Sequence, residues 1–143
     1  MQETGQAFTV FRFLVAIITG LAVLLIIFSI IKFFEEREFE ISRERFFEGF
    51  RSAFNSPNGD VFEREDIAFN AADLVTAISL ARDVKIPADC VEFSGGSSAF
   101  SLQGTQAIEF QEKATINVFY RCFKSFSAAC ETSCEVSFGQ PFR

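Results

Sequence analysis

The chain has 143 residues and a net charge of −6, which argues against nucleic acid as a partner. Histidine and tryptophan are absent, tyrosine occurs once, and phenylalanine occurs 21 times. The commonest general base and metal ligand is therefore missing.

The first twelve residues are polar and turn apolar at Phe8. From Phe13 to Ile31 there are 19 residues without a charge, interrupted only by Thr19, Gly20 and Ser29. A helix of that length covers about 28 Å, close to the hydrocarbon thickness of a bilayer. Arg12 and Lys32 bracket it, where long basic side chains reach the head groups. A cleaved secretory signal is the alternative. The run is longer than a signal core, and KFFEEREFE follows it without a small-residue cleavage site. A retained single-pass anchor is expected.

Helical sequence does not stop at Lys32. No proline and one glycine, Gly49, occur before Phe54. At 100° per residue, Phe39, Phe46, Phe47, Phe50 and Phe54 share an arc of about 100°. Phe34 and Ile41 lie off that arc, and Glu44, Arg45, Glu48 and Arg51 occupy the opposite side. Glu40–Arg43 and Arg45–Glu48 are spaced to pair along the helix. One helix is expected from about Thr9 to Phe54, with a pair of helices kinked near Lys32 as the alternative. Asn55 to Asp60 should end it, since Pro57 disfavours helix at Ser56 and Asn58-Gly59 favours a turn.

After an irregular stretch, Asn70 to Asp73 reads as a helix cap. Leu74, Val75, Ile78 and Ala81 then give a short amphipathic helix to about Arg82, closed by Pro87. Beyond it, residues 90–93, 99–102, 107–110, 115–121 and 134–138 alternate apolar and polar, separated by turn residues at 94–98, 103–105, 112–113 and 139. The expectation is an antiparallel sheet of four or five hairpin-connected strands, with one apolar face to cover. The phenylalanine stripe of the helix is the available cover. The predicted fold is α+β: a long N-terminal helix packed on a small C-terminal antiparallel β-sheet. Residues 1–7 form a short lead-in, 8–54 the helix with its apolar segment at 13–31, and 55–143 an α+β head domain with its sheet at about 90–138.

Cys90, Cys122, Cys130 and Cys134 all lie in the last third, an even number in a β-like region, which points to two disulfides in an oxidising compartment. A four-thiolate zinc site is disfavoured because only Cys130 and Cys134 are closely spaced. The preferred pairing is Cys90–Cys122 across strands and Cys130–Cys134 around a small loop. Orientation is contested. Lys32, Arg37, Arg43, Arg45 and Arg51 follow the span and only Arg12 precedes it, which places the C-terminal part in the cytoplasm by the positive-inside rule. The cysteines place it outside, and the outside reading is adopted.

No nucleophile is set beside a base, and no carboxylate pair has apolar flanks that would shift its pKa. Ser94 to Ser98 is glycine-rich but lacks the following lysine and helix of a phosphate loop. No catalytic residue, cofactor or metal is expected, and the chain reads as a non-enzyme.

Phe8-Thr9-Val10-Phe11 opening a long apolar helix, behind Gly5-Gln6-Ala7, resembles type IV pilins, and the leader-like stretch is closest to the archaeal class III signal type. The resemblance implies processing after Gly5, leaving Gln6 or Phe8 near the mature end. Met1 to Thr4 carries no Lys or Arg, and the fifth mature position, Val10 or Arg12, is not acidic as in many pilins. By that resemblance, Phe8, Thr9, Arg12, Thr19, Gly20 and Ser29 would contact the helices of other copies or of other pilin-like subunits in a filament. The small residues allow close approach. Before assembly the subunit would sit in the cell membrane with its C-terminal domain outside. The alternatives are a permanently anchored accessory subunit of a membrane complex and a membrane-tethered binding ectodomain.

Overall fold

The computed structural model describes residues 3–142, excluding the side chains at 3–8 and 126–127. One helix, α1, spans Glu3–Asn55, so the alternative of two helices meeting near Lys32 is not what forms. It begins ahead of the boundary placed after residue 7. The chain divides into two compact units, one up to Arg37 and one from Glu38 onward, described in turn. In the first unit, the helical side chains from Val10 to Phe34 are exposed on every face.

In the second unit, the outer end of α1 packs on β-structure. Phe46 and Phe50 are fully buried, while Phe47 and Phe54 are partly buried against the same core. Phe39, at the start of the stripe, is half-buried, with the Lys113 Nζ 4.9 Å from its ring centre. Phe34 and Ile41 are exposed, as their position off the stripe predicts. Gly49 and Ala53 complete the buried face. A Cβ on Gly49 would lie 2.7 Å from the Tyr120 ring, so glycine there lets the helix approach the sheet closely. The expected Arg45–Glu48 pairing gives way to a tertiary bond, in which the Arg45 Nη2 donates to the Glu65 carbonyl at 3.0 Å.

The β-structure corrects the sequence reading in three places. The stretch expected to be irregular is the strand β1, Asn58–Phe69, antiparallel to β6, Ala114–Ser127. Two register shifts interrupt its alternation, one at Gly59–Asp60 and one at Glu65–Asp66, where Asp66 takes φ 54°. The Asp66 N–H is met by the Asn117 Oδ1 at 3.3 Å.

The second correction concerns Asn70 to Asp73. This segment is a turn, with the Asn70 N–H donating to the Asp73 Oδ2 at 2.7 Å and Ala72 at φ 67°. Leu74–Thr76 then forms a short strand, β2, and the helix α2 is only Ala77–Val84. Thr76 caps it by accepting from the Ser79 N–H, and Lys85 ends it in the left-handed region. Its buried face is Ala77, Leu80 and Ala81, whereas Leu74 and Ile78 are exposed. Pairing of Leu74 to Thr76 with Ala107 to Glu109 outcompeted helix at those residues.

Third, the described residues form two sheets, and one pair of strands is parallel. A 3-10 turn at Ala88–Cys90 leads into β3, Val91–Gly95; β4, Phe100–Gln103, and β5, Ala107–Phe110, form a hairpin; β7 is Cys130–Phe138. The strand orders are β1-β6-β7-β3 and β2-β5-β4. All pairs are antiparallel except β3 with β7, which are joined by a long crossover and align Val91 with Cys134. Ser94 to Ser98 is therefore not a hairpin turn between neighbours. Gly95, at φ 133°, ends β3 against β7, and a Cβ there would lie 2.4 Å from the Phe138 carbonyl oxygen. A direct backbone bond from the Phe93 N–H to the Thr105 carbonyl, 2.7 Å, links the two sheets.

Phe138 sits at the centre of the core. Its ring lies 5.4 Å from Phe93, 6.0 Å from Phe46, 6.1 Å from Phe100, 6.2 Å from Phe69 and 6.4 Å from Phe110. Phe69 and Phe110 stack at 4.2 Å. Such pairs add about 0.5–1.5 kcal/mol each beyond the area they bury. The phenylalanine-rich composition is thus spent in two ways: an aromatic core in the head domain and an exposed apolar helix.

Candidate functional site

The apolar segment of α1 is the largest exposed apolar stretch among the described residues. An 18-residue window within Thr9–Asn55 has a mean hydropathy of 3.1 and none of it is buried in the chain, so the helix is long and apolar enough to cross a membrane. Its polar interruptions are internally satisfied. The Thr19 Oγ1 donates to the Val15 and Ala16 carbonyls at 2.9 and 3.0 Å, and the Ser29 Oγ donates to the Leu25 carbonyl at 2.9 Å. Neither hydroxyl asks for water, which suits both lipid and a neighbouring helix. Gly20 has open space where a Cβ would project. Thr9 and Arg12 are exposed at the N-terminal end. Gly5, Gln6 and Phe8, the processing-site and helix-entry readings, have side chains outside the described residues.

Toward the far end of the segment, Leu25, Ile26, Ser29, Ile30, Phe33 and Phe34 line a shallow apolar groove of about 530 Å³. The Arg37 guanidinium lies 5.3 Å from the Phe33 ring centre. Phenylalanine and basic residues thus occupy the end of the apolar run, where tyrosine and tryptophan usually gather in membrane proteins.

The head domain carries two disulfides, and their pairing overturns the preferred one. Cys90 bonds Cys130, and Cys122 bonds Cys134. Cys122 and Cys134 are direct cross-strand partners in the β6–β7 hairpin. Cys90, at the end of the 3-10 turn before β3, reaches the tip of that hairpin. A Cys90–Cys122 bond fails because Cys122 faces Cys134, and β3 pairs with β7 and not with β6. With all four thiols so paired, no thiolate set forms, and among the described residues no cluster of His, Cys, Asp or Glu is arranged to hold a metal.

A cleft of about 420 Å³ lies between the outer half of α1 and the β1–β2 region, floored by Phe46, Phe47 and Phe69 and rimmed by Glu40, Arg43 and Asp73. On another side, Arg51 holds α1 to α2: its Nε and Nη2 donate to the two Asp83 oxygens at 2.6 and 2.7 Å. Those hydrogen bonds hold the Asp83 carboxyl below its ordinary pKa and raise the Arg51 guanidinium above its own. The Arg121 guanidinium pairs with Glu135 and lies 4.4 Å from the Phe142 ring centre, tying down the C-terminal segment. Tyr120 is fully buried between Gly49 and Phe46; burial pushes its phenol pKa far up, and its hydroxyl has no hydrogen-bond partner among the described residues.

Comparison of the chain with protein-family profiles, with curated proteins and with solved structures gives no match.

Proposed function

We propose that the chain is a pilin-like structural subunit of an extracellular type IV-type filament, assembled through the apolar half of α1. The observation that carries this reading is the helix itself: exposed and apolar on every face at one end, and laid on a disulfide-braced sheet by a phenylalanine face at the other. The apolar half needs cover on all sides, which a bilayer supplies before assembly and a bundle of like helices supplies after it. Thr19, Gly20 and Ser29 offer small, self-satisfied surfaces for close helix contact. The head domain faces the outside, where its disulfides persist.

Shearing filaments from the surface of cells that express the chain, followed by mass spectrometry, tests the proposal. Recovery of the chain in the filament fraction, beginning at Gln6 or Phe8, is the expected result. Recovery only from membranes, beginning at Met1, overturns it. The second reading, a permanently anchored accessory subunit, draws on the absence of an acidic residue at Val10 or Arg12, and that second outcome supports it.

A further inference from the structure

The two disulfides differ sharply in access, and that difference points to a modification site that does not depend on filament assembly. Cys122 and Cys134 are both fully buried, and Cys90 is 1% exposed. Cys130 alone among the four is half-exposed, as the first residue of β7 at the hairpin tip. Thiol–disulfide exchange requires a thiolate to reach one sulfur in line with the bond it breaks, so access selects both the bond and the sulfur.

We propose that the Cys130 Sγ is a thiol-exchange site for a low-molecular-weight thiol such as glutathione, and that exchange there opens Cys90–Cys130 while leaving Cys122–Cys134 closed. The incoming thiolate forms a new S–S bond to the Cys130 Sγ. The Cys90–Cys130 bond breaks, and the Cys90 Sγ leaves with the electron pair and takes a proton from water. A second thiolate attacking the glutathione sulfur of the mixed disulfide yields oxidised glutathione and a free Cys130. The leaving group is provided for: the Ala129 carbonyl oxygen lies 3.6 Å from the Cys90 Sγ and accepts from the new thiol.

Exchange at this position has a structural consequence that exchange at the other pair would not. Cys90–Cys130 closes a span of 40 residues and fastens the entry of β3 to the sheet, whereas Cys122–Cys134 closes a span of 12 inside one hairpin. β3 is an edge strand of five residues, paired in parallel with β7 alone in its sheet. With the staple open, Val91 to Gly95 is held by that short ladder, its side-chain packing and the link to Thr105, and its opening frees one edge of β7.

The full chain in detergent micelles, titrated with reduced glutathione under native conditions, quenched with iodoacetamide and mapped by mass spectrometry, tests this. Glutathione on Cys130 and carbamidomethyl on Cys90, with Cys122–Cys134 still bonded, is expected. Hydrogen exchange on the same sample should show faster exchange at Val91 to Gly95 than in the oxidised chain. Glutathione on Cys90, opening of Cys122–Cys134 first or together with the other pair, or unchanged protection at Val91 to Gly95 overturns the proposal. The C122S/C134S variant serves as a second measurement. It should form the Cys130 adduct as readily as the parent chain, and a failure to do so in a folded variant also overturns it.

Discussion

Gly49 sits where the helix packs tightly on Tyr120 of the sheet, and replacing it with alanine sets two known effects against each other. Alanine is worth about 1 kcal/mol over glycine in a helix interior. Its Cβ would stand 2.7 and 3.0 Å from the Tyr120 Cε2 and Cζ, and 2.9 Å from the Arg64 Cγ. The Arg64 side chain is half-buried and has freedom to swing aside. The Tyr120 ring does not, because it is fully buried with Phe46 5.8 Å behind it. Overpacking of this kind costs about 1–3 kcal/mol. In the parent chain Gly49→Ala should therefore be destabilising by up to about 2 kcal/mol, the difference between the packing cost and the propensity gain. In a Tyr120→Leu background the clashing ring atoms are gone, and the same substitution should be stabilising by about 1 kcal/mol. Urea unfolding of the four proteins in one detergent gives the cycle. Equal stabilisation by Gly49→Ala in both backgrounds would refute the close helix–sheet approach.

Phe46→Ala should cost about 3–5 kcal/mol, because the ring is buried among Phe69, Tyr120 and Phe138, whereas Phe34→Ala should leave head-domain unfolding unchanged; thermal melts of the two variants check this. The chain-entropy relation gives about 4 kcal/mol for the Cys90–Cys130 span and about 3 kcal/mol for the Cys122–Cys134 span. Paired Cys→Ser variants should therefore rank in that order by denaturant midpoint. Asp83 has a depressed pKa in the folded chain, so its pairing with Arg51 stabilises the fold above the unfolded carboxylate pKa and is lost as the pH falls through the folded value. Denaturant midpoints measured across the acid range should fall less steeply for Asp83→Asn than for the parent chain.

The long helix and its phenylalanine face were legible in the sequence because burial follows a 3.6-residue period over many turns, and Phe46 and Phe50 fall where that period places them. The β4–β5 hairpin was legible as well, since Phe100 to Phe110 alternates cleanly around Gly104. β1 was not, for two bulges and the run Glu63 to Asp66 break its alternation, and its partner β6 lies far away in sequence. The short helix was misplaced by a competing local signal. Asn70 and Asp73 do bond as a cap would, but the chain after them pairs as a strand before the helix begins. The parallel β3–β7 pair leaves no local trace.

The disulfide pairing depended on register, and a signal for half of it was present. Cys122 and Cys134 are equidistant from Ala128, so folding residues 114–138 as one hairpin brings them face to face. Reading residues 115–121 and 134–138 as separate short strands concealed that symmetry. The pairing of Cys90 followed only from the crossover that places β3 beside β7. The small residues Thr19, Gly20 and Ser29 stood out by contrast with their apolar neighbours, whereas the bonds of Thr19 and Ser29 to carbonyls one turn back depend on side-chain rotamers that composition does not fix.

The most direct test of the filament reading is the environment of the apolar helix in the assembled state. Single cysteines at Gly20 and at Ile26, in an otherwise functional chain, should cross-link to other copies in sheared surface filaments and exclude water-soluble thiol reagents. Filaments that lack the chain, or a chain whose Gly20 and Ile26 positions contact only lipid in every fraction, would contradict it.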